Sequence, residues 1–250
     1  MEPRRIVTRA EWIEARKQHL AREKEFTHLH DRLTAERRNL PWVRVEKPYA
    51  FEGANGTVTL AELFQGRSQL VVQHFMFGPS WKEGCLGCSF SADHVDAARQ
   101  HFEHNDLSFA AVSRAPYPEI AAFKQRMGWR FAWVSSLGSD FNYDFNVSFT
   151  ETDKARGKAF YNFELRDYQN DEMPGTSVFA KDAAGQVFHT YSAYARGDEL
   201  LIGAYNYLDL APKGRNENGP NFDLTDWVRH RDRYAPAAPA SACGCEHEAA

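Results

Sequence analysis

The sequence predicts an α/β fold, a central mixed sheet flanked by helices, on three observations. Residues 68–77, 107–113 and 130–136 are nearly continuous apolar runs, the pattern of strands covered on both faces. Helix signals lie between them, so strand, helix, strand, helix, strand implies parallel pairing through crossover helices. Finally, "TSVFAKDAAGQVFHTYSAYARG" alternates about Ala184-Gly185 and reads as an antiparallel hairpin that completes the sheet.

Residues 8–38 are expected to form a long helix. Trp12, Ala15, His19, Phe26, Leu29 and Leu33 recur at roughly helical spacing among interleaved charges. Thr8 and Glu11 make a capping box, and Leu40-Pro41 ends the run. This arm is expected to pack on the domain or on a second copy of the chain. Asn55-Gly56 suits a tight hairpin turn between short strands at 49–51 and 57–60. Gly78-Pro79 stops the central strand. Residues 92–102 fit a helix, on which His94, His101 and His104 read as surface residues. Pro118 opens another helix over 119–127 and Gly128 closes it. Residues 137–173 are rich in aromatics, Asn and Asp with weak periodicity, and read as an insertion with only local structure. Within it, the run Asp140 to Phe145 is expected either to line a groove or to form a satellite core. Residues 200–208 and 224–231 read as helical.

The expected organisation is therefore a helical arm over 1–47, one domain over 48–234 with the insertion at about 137–173, and a flexible Pro/Ala-rich tail over 235–250. With 250 residues, 43% hydrophobic and 26% charged, the chain can bury a sizeable core without disulfide staples. A net charge of −4 gives no electrostatic footprint for nucleic acid. Neither a bilayer-spanning run nor a signal core is visible, which points to a cytoplasmic protein without a membrane partner. Thiols stay reduced in that compartment, so four cysteines suggest catalysis or metal binding rather than structural crosslinks.

Cys85 and Cys88 lie where the central strand gives way to a helix, in "FGPSWKEGCLGCSF". At a helix start the free backbone N–H groups and the helix dipole favour a thiolate, which is the reactive form. A second cysteine one turn on shares that face and is near enough to close a disulfide. The spacing thus predicts thiol–disulfide exchange, Cys85 attacking and Cys88 resolving the mixed disulfide. Lys82 would favour the thiolate and Glu83 oppose it. Gly84 and Gly87 suggest an accessible loop. Two other readings stand beside this one. The pair is half of a soft-metal site for Zn or Cu, completed by Cys243, Cys245 and His247 of the tail. Or the cysteines are incidental to a scaffold that binds a partner. The tail's Cys-Gly-Cys is itself open to three roles: a second dithiol, a metal ligand, or none.

Beyond spacing, "VTLAELFQGRSQLVVQHF", then Cys-x-x-Cys, strand, helix, strand, Pro and hairpin, resembles the thioredoxin superfamily. More closely, "LPWVRVEKPYAFEG", "HFMFGPSWKEGCLGCSF", "SSLGSDFNYDF" and "VFHTYSAYARG" resemble the bacterial thioredoxin-like domain-of-unknown-function family eight-nine-nine. That family carries the label of dithiol–disulfide isomerase. The resemblance implies a thioredoxin-like fold, an oxidoreductase or isomerase activity, a protein or small-molecule disulfide substrate and a thiol reductant; no organic cofactor is expected, because no phosphate-cradling glycine loop appears in the sequence. It also implies a cis-proline facing the cysteines, for which Pro174 is the match, its neighbouring backbone free to pair with an extended substrate. An ordinary turn proline is the alternative. Thioredoxins set a buried acid beneath the pair. Here His74 of the central strand occupies that place, either exchanging protons with Cys88 or serving as a hydrogen-bonded core residue. Trp81 is separated from Cys85 by Lys-Glu-Gly, whereas thioredoxins place Trp directly before the first cysteine. Lys82 stands where a peroxidase carries Thr or Ser, which argues against peroxidase chemistry at Cys85. The Leu-Gly between the cysteines leaves the redox direction open.

Overall fold

The computed structural model describes residues 4–234. Helix α1 (Arg9–Arg38) opens with the Thr8–Glu11 capping box and buries no residue. Its apolar side chains, Trp12 and Phe26 among them, are exposed, and pairs such as Arg16–Glu23 at 2.7 Å run along it. Then come β1 (Val43–Arg44), β2 (Ala50–Gly53) and β3 (Gly56–Thr59). Gly56 at the β2–β3 turn has φ +102°, a conformation that disfavours any residue with a Cβ.

Strand β4 (Gln69–His74) is followed by two helices, α2 (Leu86–Ala92) and α3 (Val95–His104). The single helix expected over 92–102 is thus replaced by a pair broken at Asp93-His94, where Asp93 accepts the Trp129 indole N–H at 2.8 Å. Strand β5 (Leu107–Ser113), α4 (Tyr117–Met127) and β6 (Ala132–Ser135) follow, with Gly128 left-handed at the end of α4 as expected. The 137–173 segment holds α5 (Phe141–Asp144), α6 (Glu151–Arg156) and a separate hairpin, β7 (Lys158–Tyr161) and β8 (Glu164–Asp167). Strands β9 (Gly175–Lys181) and β10 (Val187–Tyr194) form the expected hairpin. A 3₁₀ turn (Ala195–Leu201), α7 (Gly203–Leu210) and a short 3₁₀ turn (Leu224–Asp226) finish the described chain, the last being the only trace of the helix expected over 224–231 apart from a second 3₁₀ turn at Arg231–Arg233.

The main sheet runs β1-β10-β9-β4-β5-β6-β2-β3. Strands β4, β5 and β6 are parallel, and β9 pairs antiparallel with β4 along its whole length. This is the thioredoxin-like arrangement. Strand alternation divides the core into two layers. Leu70 and Val72 face a layer with Phe51, Phe64, Phe141 and Phe179, whereas Val71 and Phe75 face one with Phe109, Phe123, Trp129 and Trp133. Buried serines tie the carboxyl ends of the parallel strands together. Ser113 Oγ donates to Phe75 O at 2.6 Å and accepts from Trp133 Nε1 at 3.0 Å, and Ser135 Oγ donates to Ala115 O at 2.6 Å. Buried hydroxyls satisfied in this way fix the strand ends on which the cysteine loop rests.

Candidate functional site: a dithiol in a closed cleft

The loop after β4 doubles back on the strand it leaves. Cys85 N–H donates to Met76 O at 3.0 Å, and Met76 N–H donates to Cys88 Sγ at 3.4 Å. Cys85 is the N-cap residue of α2, which puts it at the first free N–H groups of the helix, although its side chain makes no capping hydrogen bond. The two cysteines approach to 3.7 Å and are not joined. Cys85 is half-buried, and Cys88 is 4% exposed.

This geometry separates the two thiols electrostatically. The Cys88 thiol donates to Cys85, and the backbone N–H groups of Cys88 and Gly87 add to that bond, so the Cys85 thiol is held down at about 7 although burial opposes it. The same hydrogen bond, with burial, drives Cys88 well above the ordinary thiol range. Deprotonation therefore begins at Cys85 and leaves Cys88 protonated.

Gly84 does not mark an open loop. It is buried, and a Cβ there would lie 2.6 Å from the Phe75 ring and 2.9 Å from the Phe123 ring. Its carbonyl accepts from His230 Nε2 at 2.9 Å. Glu83 is turned away from the cysteines and bound to Arg233 and Arg126; burial opposes its charge, but these partners outweigh it and keep its carboxyl below the usual range. Lys82 is exposed and contributes nothing to the Cys85 shift. Trp81 packs over Gly78 and lines a different cleft with Arg114, Tyr143 and Glu172.

Cys85 and Cys88 open into a cavity of about 620 Å³, which Pro174 also lines. The peptide bond before Pro174 is trans, since no cis bond occurs among the described residues. The segment ahead of it runs extended against the insertion: Ser148 bridges Glu172, and Met173 N–H donates to Val147 O at 2.8 Å. Its backbone is not free for a substrate either, because Pro174 O accepts the Tyr161 hydroxyl at 2.7 Å. The far wall is the segment after β10. Ile202, Tyr205, Leu224 and Val228 pack around Phe90 of α2. His94 is no surface residue: its Nδ1 donates to Phe90 O at 2.8 Å and its Nε2 accepts Ala204 N–H at 3.0 Å, stitching that wall to α2.

His74 lies in β4, but its ring points to the other layer. It packs against Phe141 and stacks on Phe145, and bonds Ser177 Oγ at 2.8 Å through Nε2. Burial, with a smaller contribution from His189, pushes it down to about 3, so it stays neutral. The β4 side chain on the cysteine side is Gln73, whose Nε2 donates to Cys88 O at 3.1 Å. The sequence reading missed Asp198. This carboxyl lines the cavity with the cysteines, has no hydrogen-bond partner at Oδ1, and is close enough for its charge to raise Cys88. Burial pushes it up to about 7, partly offset by the Thr176 hydroxyl. Phe141 and Phe145 of the Asp140 to Phe145 run join the main core, whereas Asp140, Tyr143 and Asp144 line the cleft beside Trp81, and Lys47 binds Asp140 and Asp144 at 2.7 Å each.

Among the described residues no three His, Cys, Asp or Glu side chains converge as a metal site, and no helix is long and apolar enough to cross a membrane. Cys243, Cys245 and His247 lie outside the described residues.

A family model described as "Bacterial protein of unknown function (DUF899)" matches residues 1–234. No curated protein matches the chain. Solved structures similar to it include a cysteine-to-serine mutant of Xanthomonas campestris peroxiredoxin Q, with 15% identity, 66% of this chain and 98% of that one covered, and a TM-score of 0.43. Peroxidoxin BcpB from Mycobacterium tuberculosis has 14% identity, 68% and 97% coverage and a TM-score of 0.43. A Xylella fastidiosa PrxQ mutant has 13% identity, 66% and 94% coverage and a TM-score of 0.43.

Proposed function

The chain belongs to the bacterial family DUF899, and from that premise and the geometry of the site we propose that it is a thiol–disulfide oxidoreductase whose reacting groups are Cys85 and Cys88. The carrying observation is the asymmetry of the pair: a half-buried thiol at the amino end of a helix, 3.7 Å from a buried one whose sulfur accepts the Met76 N–H.

Cys85 thiolate attacks one sulfur of a substrate disulfide. A Cys85–sulfur bond forms, the substrate S–S bond breaks, and the departing thiolate takes a proton from water. Asp198 then accepts the Cys88 proton. A carboxyl near 7 suits that transfer at neutral pH, because it is neither too weak a base nor permanently protonated. Cys88 attacks Cys85 Sγ, closing the intramolecular disulfide and expelling the second thiolate. Two electrons pass from the cysteines to the substrate, and a thiol reductant returns them. Run backwards, the same steps oxidise a dithiol.

Equilibration of the full chain with 2-mercaptoethanol and its disulfide over a range of ratios, followed by peptide mass analysis, tests this reading. The peptide carrying Cys85 and Cys88 is expected to lose and regain two hydrogens reversibly. Thiols that stay free throughout, or that bridge only to the tail, would overturn it.

A further inference from the structure

We infer that the exchange site takes small disulfides that are neutral or cationic, and that it discriminates against anionic ones and against disulfides of folded proteins. The inference rests on the exchange reading above. Two independent features carry it, one steric and one electrostatic.

Exchange with a protein disulfide needs an approachable sulfur and a free stretch of backbone beside it on which the partner chain can lie as an added strand. Neither is present. The backbone facing the cysteines is already committed: Met173 N–H to Val147, Pro174 O to Tyr161, and Gly175 and Thr176 paired on both sides by β4 and β10. The segment from Ala195 to Thr225 closes the other side and leaves Cys85 at the bottom of a cleft. At about 620 Å³ the cavity has the size of a small-molecule site.

The cavity is also acidic. Its lining carries one basic side chain, Arg196, against Asp198, Glu199, Glu217 and Asp223. Arg196 is bound to Glu199 at 2.8 Å, and Arg215, stacked on Tyr205 just behind the wall, is bound to Glu199 at 2.6 Å and Asp209 at 2.8 Å. That leaves Glu217 and Asp223 with no cation within ion-pairing distance among the described residues, while Asp198, raised to about 7, adds its charge only as pH climbs past neutrality. Charges of one sign lining a cleft concentrate ligands of the opposite sign and repel their own. A disulfide bearing carboxylates meets that field just as Cys85 becomes a thiolate, and one bearing ammonium groups is drawn toward it.

The test uses cystamine and 3,3′-dithiodipropionate, short disulfides of opposite charge, with insulin as the protein probe. Each rate of reaction with the fully reduced chain is divided by its rate with 2-mercaptoethanol, which removes differences in intrinsic reactivity. Cystamine is expected to be favoured over dithiodipropionate by about tenfold or more, within the usual range of electrostatic focusing. The ratio should shrink on going from about 0.01 M to about 1 M salt, where screening shortens to a few ångströms. Replacing Glu217→Gln with Asp223→Asn should lower it, and insulin should react more slowly than either small probe. Equal or reversed preference between the two small probes, with both still closing the Cys85–Cys88 disulfide, overturns the charge selectivity alone. Insulin reduced as fast as cystamine overturns the steric part. Failure of every probe to oxidise the pair overturns the exchange reading itself.

Discussion

Met76 donates its backbone N–H to the Cys88 sulfur at 3.4 Å while its carbonyl receives the Cys85 N–H at 3.0 Å. One residue at the end of β4 thus holds both members of the pair, and it holds them differently. Cys88 is tied by its sulfur toward the sheet. Cys85 is tied only by its backbone, which leaves its sulfur to the cavity and to the helix N–H groups. The difference between the two thiols, on which the proposed roles of nucleophile and resolver rest, follows from how the chain leaves the strand.

If the Cys88 thiol is the main donor to Cys85, Cys88→Ala should raise the Cys85 pKa. The N–H groups of residues 87 and 88 remain, so the thiol stays below the ordinary range. An upward move of about one unit, roughly a fivefold loss of thiolate at pH 7, is expected. The pH profile of iodoacetamide alkylation at Cys85 reads it directly. Wild type should show a midpoint near 7. An unmoved midpoint would assign the whole effect to the backbone.

Asp198→Asn should separate stability from activity. The wild-type carboxyl is raised from 3.8 to about 7. Between those values the folded state holds a proton that the unfolded chain has lost, so this group's contribution to stability falls as pH climbs through that window and stays low above it. Asparagine removes the penalty. The variant is expected to be more stable than wild type by roughly 1–3 kcal/mol near pH 8 and equal to it near pH 4. The mixed disulfide at Cys85 should nevertheless persist longer, because Cys88 has lost its proton acceptor. Thermal melts at the two pH values and quenched-flow mass analysis supply the two readouts.

Much of this was legible because it is local. The continuous apolar runs, the turn glycines and the cysteine pair each sit within one stretch of chain, and short-range patterning reports such features well. Asp198 was not legible. It reaches Cys88 from a 3₁₀ turn far along the sequence, flanked by Arg196 and Glu199, which disguise it as part of a solvated charged run. An acid directly after the last strand of a closing hairpin was the one available signal. Of the two roles the sequence allows His74, the structure shows the hydrogen-bonded core residue; β4 is apolar on both faces, so the run alone gives no phase. Only the packing of Phe141 and Phe145 against the ring reveals that Gln73, not His74, faces α2. Gly84 suggests an accessible loop in the sequence, whereas in the structure two phenyl rings leave no room for a Cβ there.

Gly84→Ala tests that last point. The added methyl meets Phe75 Cε1 at 2.6 Å and Phe123 Cε1 at 2.9 Å, and both rings lie in the layer beneath the cysteine loop. Overpacking of this kind costs about 1–3 kcal/mol. Because relief requires the loop to lift, Cys85 should also lose part of its activation, seen as an alkylation midpoint above that of wild type. A melt unchanged from wild type would mean that the loop yields freely.

The remaining prediction concerns the link between insertion and sheet. Arg114 follows β5 and pairs with Glu172 at 2.9 Å; Glu172 is 2% exposed and also receives the Ser148 hydroxyl at 2.6 Å. The guanidinium stacks on Tyr143 as well, 4.7 Å from the ring centroid. Burial raises the Glu172 carboxyl above its ordinary range even with these partners in place. Arg114→Ala leaves that carboxylate buried without a cation, a loss expected to cost about 3–5 kcal/mol near neutral pH. Removing the cation raises the carboxyl further, so the penalty is largest where Glu172 must ionise and shrinks as acid protonates it. Adding Glu172→Gln to Arg114→Ala supplies a neutral partner for Ser148 and should recover most of the loss, which a merely misfolded variant would not do. Since Glu172 lies two residues before Pro174, the single variant should also loosen the cleft wall. Cys85 is then expected to react faster with a bulky maleimide relative to iodoacetamide, and the double variant should restore the wild-type ratio.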